Sequence, residues 1–457
     1  MKESTEAQIK GSIDITINNS IVGFYCGGPK FGKVADGKTV TTKATGTTFG
    51  KFYGAGYGGT SYTIVKPVTN DPRGSAYQSE LYDNYTFKTT TTDGILVDYH
   101  LDFFTYAGAV GELVSRFFNH YAKLSLATTN NVSSTLVGCT VKGDFYGGGC
   151  LGEVNGDATS VLSNCVIEGN AFGGGFSASI PTCIVRKAAP DEVPTYDEDA
   201  GVFNKDVLPD YELYTWSKEV TEVDDANGLL PADEETLNKL GQVTGNTIIT
   251  IEGNTRIAEK TESGVYGGGN ESRVTGTTTV HINATDGGNR INNVFGGANQ
   301  ADVNGATTVN INSGNIGNVF GANNKSGTKG SAIEVNVKGA TSDYVYGAGN
   351  LAAYKGDPVV NMSAGTVKNA LYGGGLGETA VVTGDTQVNM TGGTVGYTEK
   401  VDGKDVVRGG DVFGGGNAAA VDGNTNVSIA AGEVKRNVYG GGNQANVSGT
   451  TNVVIGQ

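Results

Sequence analysis

The chain has 457 residues, of which 73 are glycine and only 9 proline, with 17% charged residues and a net charge of −15. That glycine share is more than twice the usual one but has no Gly-X-Y period, which excludes collagen, and the low proline and charge content excludes a disordered linker. The acidic balance argues against nucleic acid as a partner, since phosphate binding needs a basic face, and no apolar run is long enough to span a bilayer.

Met1 to Ser20 lack the charged-then-apolar pattern of a secretory leader. The first element is a strand, Ile9 to Ile17, in which apolar and polar residues alternate. It leads through Ile21 into Phe24-Tyr25-Cys26-Gly27-Gly28, the first of a series of aromatic-glycine corners. The aromatic positions are Tyr25, Tyr53, Tyr146, Phe172, Tyr266, Phe295, Phe320, Tyr346, Tyr372, Phe413 and Tyr439. Most successive pairs are about 26 residues apart, as Tyr146 and Phe172 are. A fixed period of this length is the signature of a solenoid.

Residues 58–132 interrupt the period. Ile95, Val97, Tyr99, Leu101 and Phe103 alternate as a strand, while Leu113, Phe117 and Tyr121 at four-residue spacing suggest a short helix. The interval has room for one or two degenerate coils. Two regular coils follow over 133–176. In them Cys139 and Cys165 lie one period apart and should stack on neighbouring turns, as buried thiols or as a disulfide.

Residues 177–241 form a second, acidic insertion. Residues 178–241 hold 15 Asp and Glu against 5 Lys and Arg. Tyr211, Tyr214 and the only tryptophan, Trp216, lie in a strand-like run, and Asp233 to Leu240 before Gly241 reads as a short capped helix.

From 242 to 457 the repeats are regular. Each has a strand such as Gly276-Thr278-Val280-Ile282, a small turn such as Ser313-Gly314, and a second strand into the aromatic corner. A third short strand carries Val274, Val303, Val421 or Val447. Three short strands per period predict an all-β fold, a right-handed parallel β-helix of about 26 residues per rung with two large insertions. The first rungs are 1–57, and 396–410 is a hairpin loop turning at Asp402-Gly403. The chain stops at 457 just after a strand, and the reading is of a segment of a longer protein supplied with a starting Met.

At the corners, glycine is expected to supply positive φ and to let backbones pack without a Cβ, and the closing Asn to tolerate the left-handed conformation. The aromatic follows an apolar residue, so with Val265, Val294 and Val438 inside, Tyr266, Phe295 and Tyr439 should face outward or lie in the corner. Such a stripe is either a ladder that locks register or a sugar-binding platform. A second column, Thr250, His281, Asn310, Asn336, Asn361, Asn389 and Ser428, predicts an amide ladder.

No catalytic constellation stands out. The regular coils carry no paired carboxylates, and Asp224-Asp225 and Asp197-Glu198-Asp199 lie in the acidic insertion. His100, His120 and His281 share no motif, and there is no zinc-spaced Cys/His set, phosphate loop or nucleophile elbow. No cofactor or metal is expected.

The corners Val412-Phe413-Gly414-Gly415-Gly416-Asn417 and Val438-Tyr439-Gly440-Gly441-Gly442-Asn443 resemble those of the large glycine-rich repeat proteins of gut Bacteroidetes surfaces. So do the runs Asn130 to Thr135 and Ala171 to Ser179. The resemblance implies a secreted, adhesin-like cell-surface protein without catalytic residues. The expectation is therefore a non-enzymatic spacer whose insertions contact host or microbial glycans or proteins, with Tyr211, Tyr214, Trp216, Tyr266, Phe295 and Tyr439 as candidate binding residues. The alternative is a polysaccharide lyase or hydrolase on the same scaffold, with carboxylates of the acidic insertion converging over a groove. Ice or crystal binding through the Thr/Asn strips is a third reading, opposed by the inward direction expected for Thr278 and its equivalents.

Overall fold

The computed structural model describes residues 8–63, 86–102, 121–184 and 239–456, with short strands at 196–197, 202–203 and 212–216, and omits single positions or pairs at 31, 93–94, 178–179, 259, 329 and 331. Within 58–126 and 178–238 it describes backbone alone. The described residues are all strand, turn and loop, without helix. They divide into two units: residues 1–58, 126–177 and 239–457, and residues 59–125 with 178–238.

The first unit is a parallel β-solenoid of about 11 turns, roughly 28 residues apart. Alternating apolar residues make the long first wall, because a strand buried on one face needs period-two patterning. Ile249, Val280, Val309, Val335, Val360, Val388 and Val427 form one inward column, and Ile251, Ile282, Ile311, Val337, Met362, Met390 and Ile429 the next, all in one core. Pairing is parallel and in register along the stack, for example Ile249 with Val280 and Val280 with Val309. The second wall adds Val265, Val294, Val319, Val345, Leu371 and Val412 to the same core. The third is built from pairs such as Glu153–Val154 and single bridges between Val243, Val274 and Val303. Glycines with positive φ, Gly314, Gly365, Gly393 and Gly432, bend the chain from the first wall to the second.

Inward threonines tie the walls together. Thr247, Thr307 and Thr386 donate through Oγ1 to the carbonyls of Gly267, Gly321 and Gly414 across the interior, at 2.6, 2.8 and 2.6 Å. Thr278 is fully buried and does the same to Gly296. Each hydroxyl thus satisfies a corner carbonyl that would otherwise be buried without a partner.

No rung separates the wall strands that flank the first insertion. Val40–Thr45 pairs directly with Val132–Val137, Val40 opposite Val132 and Thr45 opposite Val137. The wall is therefore continuous from Val40–Thr45 to Val132–Val137, and no degenerate coil of the kind expected in the first insertion comes between them. Ala158–Ser163 likewise pairs directly with Thr247–Gly253, the wall strands on either side of the second insertion in sequence.

The second unit contains antiparallel strands. Thr86–Thr92 pairs with Ile95–Asp102, and Ile180–Ile184 with Glu212–Trp216. Ile180–Ile184 lies against Ile95–Asp102, so the two insertions meet each other. The strand expected near Ile95 is present. Tyr121, assigned to a helix from its spacing, begins the strand Tyr121–Leu126. The remainder of that helix and the one at 233–240, apart from its last two residues, lie outside the described residues. Tyr397–Val401 and Lys404–Arg408 make the expected hairpin, with Asp402 and Gly403 at φ 50 and 76°.

Candidate functional site

The aromatic stripe is a closed ladder. From Tyr53 through Tyr146, Phe172, Tyr266, Phe295, Phe320, Tyr346, Tyr372 and Phe413 to Tyr439, successive rings stack with centroids 4.7 to 5.2 Å apart and planes 4 to 21° from parallel. In-register rungs force this geometry, since identical positions repeat about every 4.8 Å. Each pair contributes about 0.5–1.5 kcal/mol beyond area burial. Tyr266 and Phe295 are each only 2% exposed, so neither offers a ring face to a ligand, and their candidacy as binding residues is corrected to a structural role. Tyr439 is 44% exposed. The sequence placed these rings at the water's edge because they point away from the inner core. They do point away, but they form a second buried cluster of their own.

Where the corners end in asparagine, these side chains form a ladder beside that cluster. Asn299 donates to Asn270 Oδ1 at 2.7 Å, Asn324 to Asn299 at 2.9 Å, and Asn350 to Asn324 at 2.8 Å. Asn324 Nδ2 also donates to the Tyr266 hydroxyl at 3.1 Å. This second amide ladder went unread because Asn was credited with a left-handed backbone. The positive-φ asparagines are instead Asn19 and Asn164, at turns elsewhere.

The amide column expected on the first wall is present. Asn336 donates to Asn310, Asn361 to Asn336 and Asn389 to Asn361, at 3.3, 3.0 and 3.0 Å. Lys338 Nζ donates to Asn310 Oδ1 at 2.9 Å. His281, on the rung next to Asn310, is held below its ordinary pKa by burial and then by Lys338.

Cys139 and Cys165 sit on adjacent rungs as free thiols, their following residues paired as Thr140 with Val166. Thr47 precedes them in the same column, because Thr48 pairs with Thr140. Thr255 follows, because Arg256 pairs with Val166. Thr47 and Thr255 donate to the carbonyls of Thr45 and Glu252, and Cys165 Sγ lies 3.3 Å from that of Ser163. Neighbouring Cys139, and then burial, push the Cys165 thiol well above the usual thiol range. These thiols stand in for threonine hydroxyls at a turn.

The other candidates lie in the second unit. Tyr214 pairs with Thr182 and Trp216 with Ile180, and Tyr211 lies outside the described residues. His100 lies on a strand opposite Lys88, and His120 is outside the described residues. The acidic side chains of 178–238, on which an enzymatic cleft would depend, are likewise outside those described. Among the described residues no group of three or more His, Cys, Asp and Glu could hold a metal ion. No helix among them is long and apolar enough to cross a membrane.

The attachment of both insertions is well described. One leaves after Tyr57 and returns at Ala127, and the other leaves after Phe176 and Ser177 and returns near Leu240. Tyr57 and Phe176 both bridge Cys150, so they occupy the same corner two rungs apart. Both rings pack against the aromatic cluster. Comparison with protein-family models, curated proteins and solved structures finds no match.

Proposed function

We propose that this chain is a non-enzymatic, adhesin-like segment of a larger bacterial surface protein, in which the solenoid is a rigid spacer and the two insertions recognise glycans or proteins outside the cell. The observation that carries this reading is the departure of both insertions from one corner, two rungs apart, over a stack whose register they leave undisturbed. Two long excursions, distant in sequence, then contribute to a single unit. Recognition is usually carried by such segments on a rigid scaffold. On the first wall and at the corners the rungs spend polar groups on one another, through the two amide ladders and the inward threonines. Tyr211, Tyr214 and Trp216 are the contact residues proposed for the insertions.

A glycan and mucin array probed with the full chain, and with a chain whose 178–238 segment is replaced by a short Gly-Ser linker, tests this. Signal that disappears with the segment supports the reading. Signal retained in full by the shortened chain contradicts it. Spots that lose their sugar with time would replace it with the lyase or hydrolase alternative.

A further inference from the structure

A groove of about 510 Å³ opens on the third wall of the solenoid, away from the insertions in sequence. Its lining comes from four successive rungs: Asp302, the Lys325-Ser326-Gly327-Thr328 turn, Leu351 to Lys355, and Thr383. Four rungs at about 4.8 Å each make it elongated along the stacking axis, roughly 14 Å from end to end. The volume is that of an ordinary small-ligand site.

The sequence builds this feature locally. Gly327, at φ 93°, turns the chain outward after the Gln300–Ser326 bridge, and Asp302 Oδ1 holds the turn by accepting from Thr328 N at 2.7 Å. On the next rung Tyr354 replaces the valine found at Val303 and Val382, and its ring is buried at 3% exposure. Leu351 is 46% exposed, an unusual position for a large apolar side chain on this polar surface.

The charges select the ligand. Lys325 and Lys355 are exposed, and neither ammonium has an ion-pair or hydrogen-bond partner among the described residues. The one carboxylate of the lining is already engaged by a backbone N–H. Exposed Leu351 offers a surface for C–H faces, and Ser326, Thr328 and Thr383 offer hydroxyls. We infer that this groove binds an anionic oligosaccharide lying along the solenoid axis, its negative groups met by Lys325 and Lys355. A uronate carboxylate and a sugar sulfate share that chemistry. The inference concerns the solenoid alone and stands or falls independently of the insertions.

The test is calorimetric titration of the full chain with a uronic-acid trimer, a sulfated trimer and the corresponding neutral trimer. Saturable binding of either anionic trimer, weakened by added salt and stronger than that of the neutral one, supports the assignment, and the arm that binds identifies the anion. The Lys325→Ala/Lys355→Ala double variant should weaken it about tenfold or more. Leu351→Asp should weaken it as well, whereas Lys400→Ala, which removes a hairpin ammonium paired with Asp405 at 2.8 Å, should not. Absence of binding by both anionic trimers overturns the assignment, as does equal binding of the neutral trimer or unchanged affinity in the double variant. Array signal that persists in full when the loss of 178–238 is combined with Lys325→Ala/Lys355→Ala would contradict the function proposed for the insertions, whereas signal that persists without 178–238 but disappears in the double variant belongs to the groove.

Discussion

At the residue scale, the corner glycines fulfil one of their two expected roles and not the other. Positive φ is not the role they play, since Gly267, Gly268 and Gly269 are absent from the left-handed region that Gly314 and Gly365 occupy; packing without a Cβ is. They are needed because neighbouring backbones approach too closely for a Cβ. A Cβ at Gly415 would lie 2.8 Å from Gly442 N, whereas one at Gly441, the same motif position a rung later, meets nothing within 4 Å. Gly415→Ala should therefore lower stability by about 1–3 kcal/mol, and Gly441→Ala should stay within about 0.5 kcal/mol of the parent in chemical denaturation. Glycine count and position are legible in a sequence, but an inter-rung distance is not.

Two buried phenols, Tyr372 of the ladder and Tyr354 of the third wall, make a second residue-scale prediction. Burial, followed by Tyr344 and Asp411, pushes Tyr372 up to about 12, and burial with Asp357 pushes Tyr354 up to about 12, from an ordinary 10.0. A phenol that holds its proton more tightly when folded leaves stability unchanged below pH 10. Above it the unfolded chain ionises first, and stability falls as pH rises from about 10 towards 12. Absorbance of tyrosinate followed together with circular dichroism should show these phenols ionising only as the solenoid unfolds. Ionisation near pH 10 with the β signal intact would contradict their burial.

At the scale of elements, the strand pattern was legible and the first register was not. Apolar alternation located the walls, and the column from Thr250 to Ser428 pairs as read, because a half-buried parallel strand has only one register that buries its apolar side. The Phe24-Tyr25 pair was aligned with Phe52-Tyr53, yet Tyr25 pairs with Phe52 and Cys26 with Tyr53. Tyr25 accordingly stacks inside the core on Phe52, which stacks on Phe145, each at 4.9 Å. Aligning Gly27 with Gly54 instead of matching aromatics would have found this. Two predictions belong here. Asn336→Ala, in the buried part of the first-wall ladder, should cost about 1–3 kcal/mol. Asn443→Ala, in an exposed Asn443–Asn417 bond, should cost about 0.5 kcal/mol or less. Replacing Cys139 and Cys165 together by threonine should preserve the folding midpoint, since Thr47 and Thr255 already hold that column.

For the molecule as a whole, the period of the corners gave the solenoid, its approximate number of turns and the sites of both insertions. It could not show that the long gaps contain no rung, because a gap of 93 residues between Tyr53 and Tyr146 is long enough to hide several. Direct pairing of Val40–Thr45 with Val132–Val137 answers that. Nor could spacing show that the two insertions belong to one unit, since the contact of Ile180–Ile184 with Ile95–Asp102 lies outside the repeat. The candidate site was the least legible part. Buried ring faces and an open groove both depend on what neighbouring rungs cover, and a linear pattern contains no such information. The most direct measurement is hydrogen exchange on a chain in which short Gly-Ser linkers replace both 59–125 and 178–238. A scaffold that needs nothing from its insertions predicts that peptides over 40–45, 132–137, 158–163 and 247–253 stay as protected as in the full chain. Loss of protection in those four strands, with the strands after 278 still protected, would show that the insertions hold the stack together and would contradict the division into spacer and recognition unit.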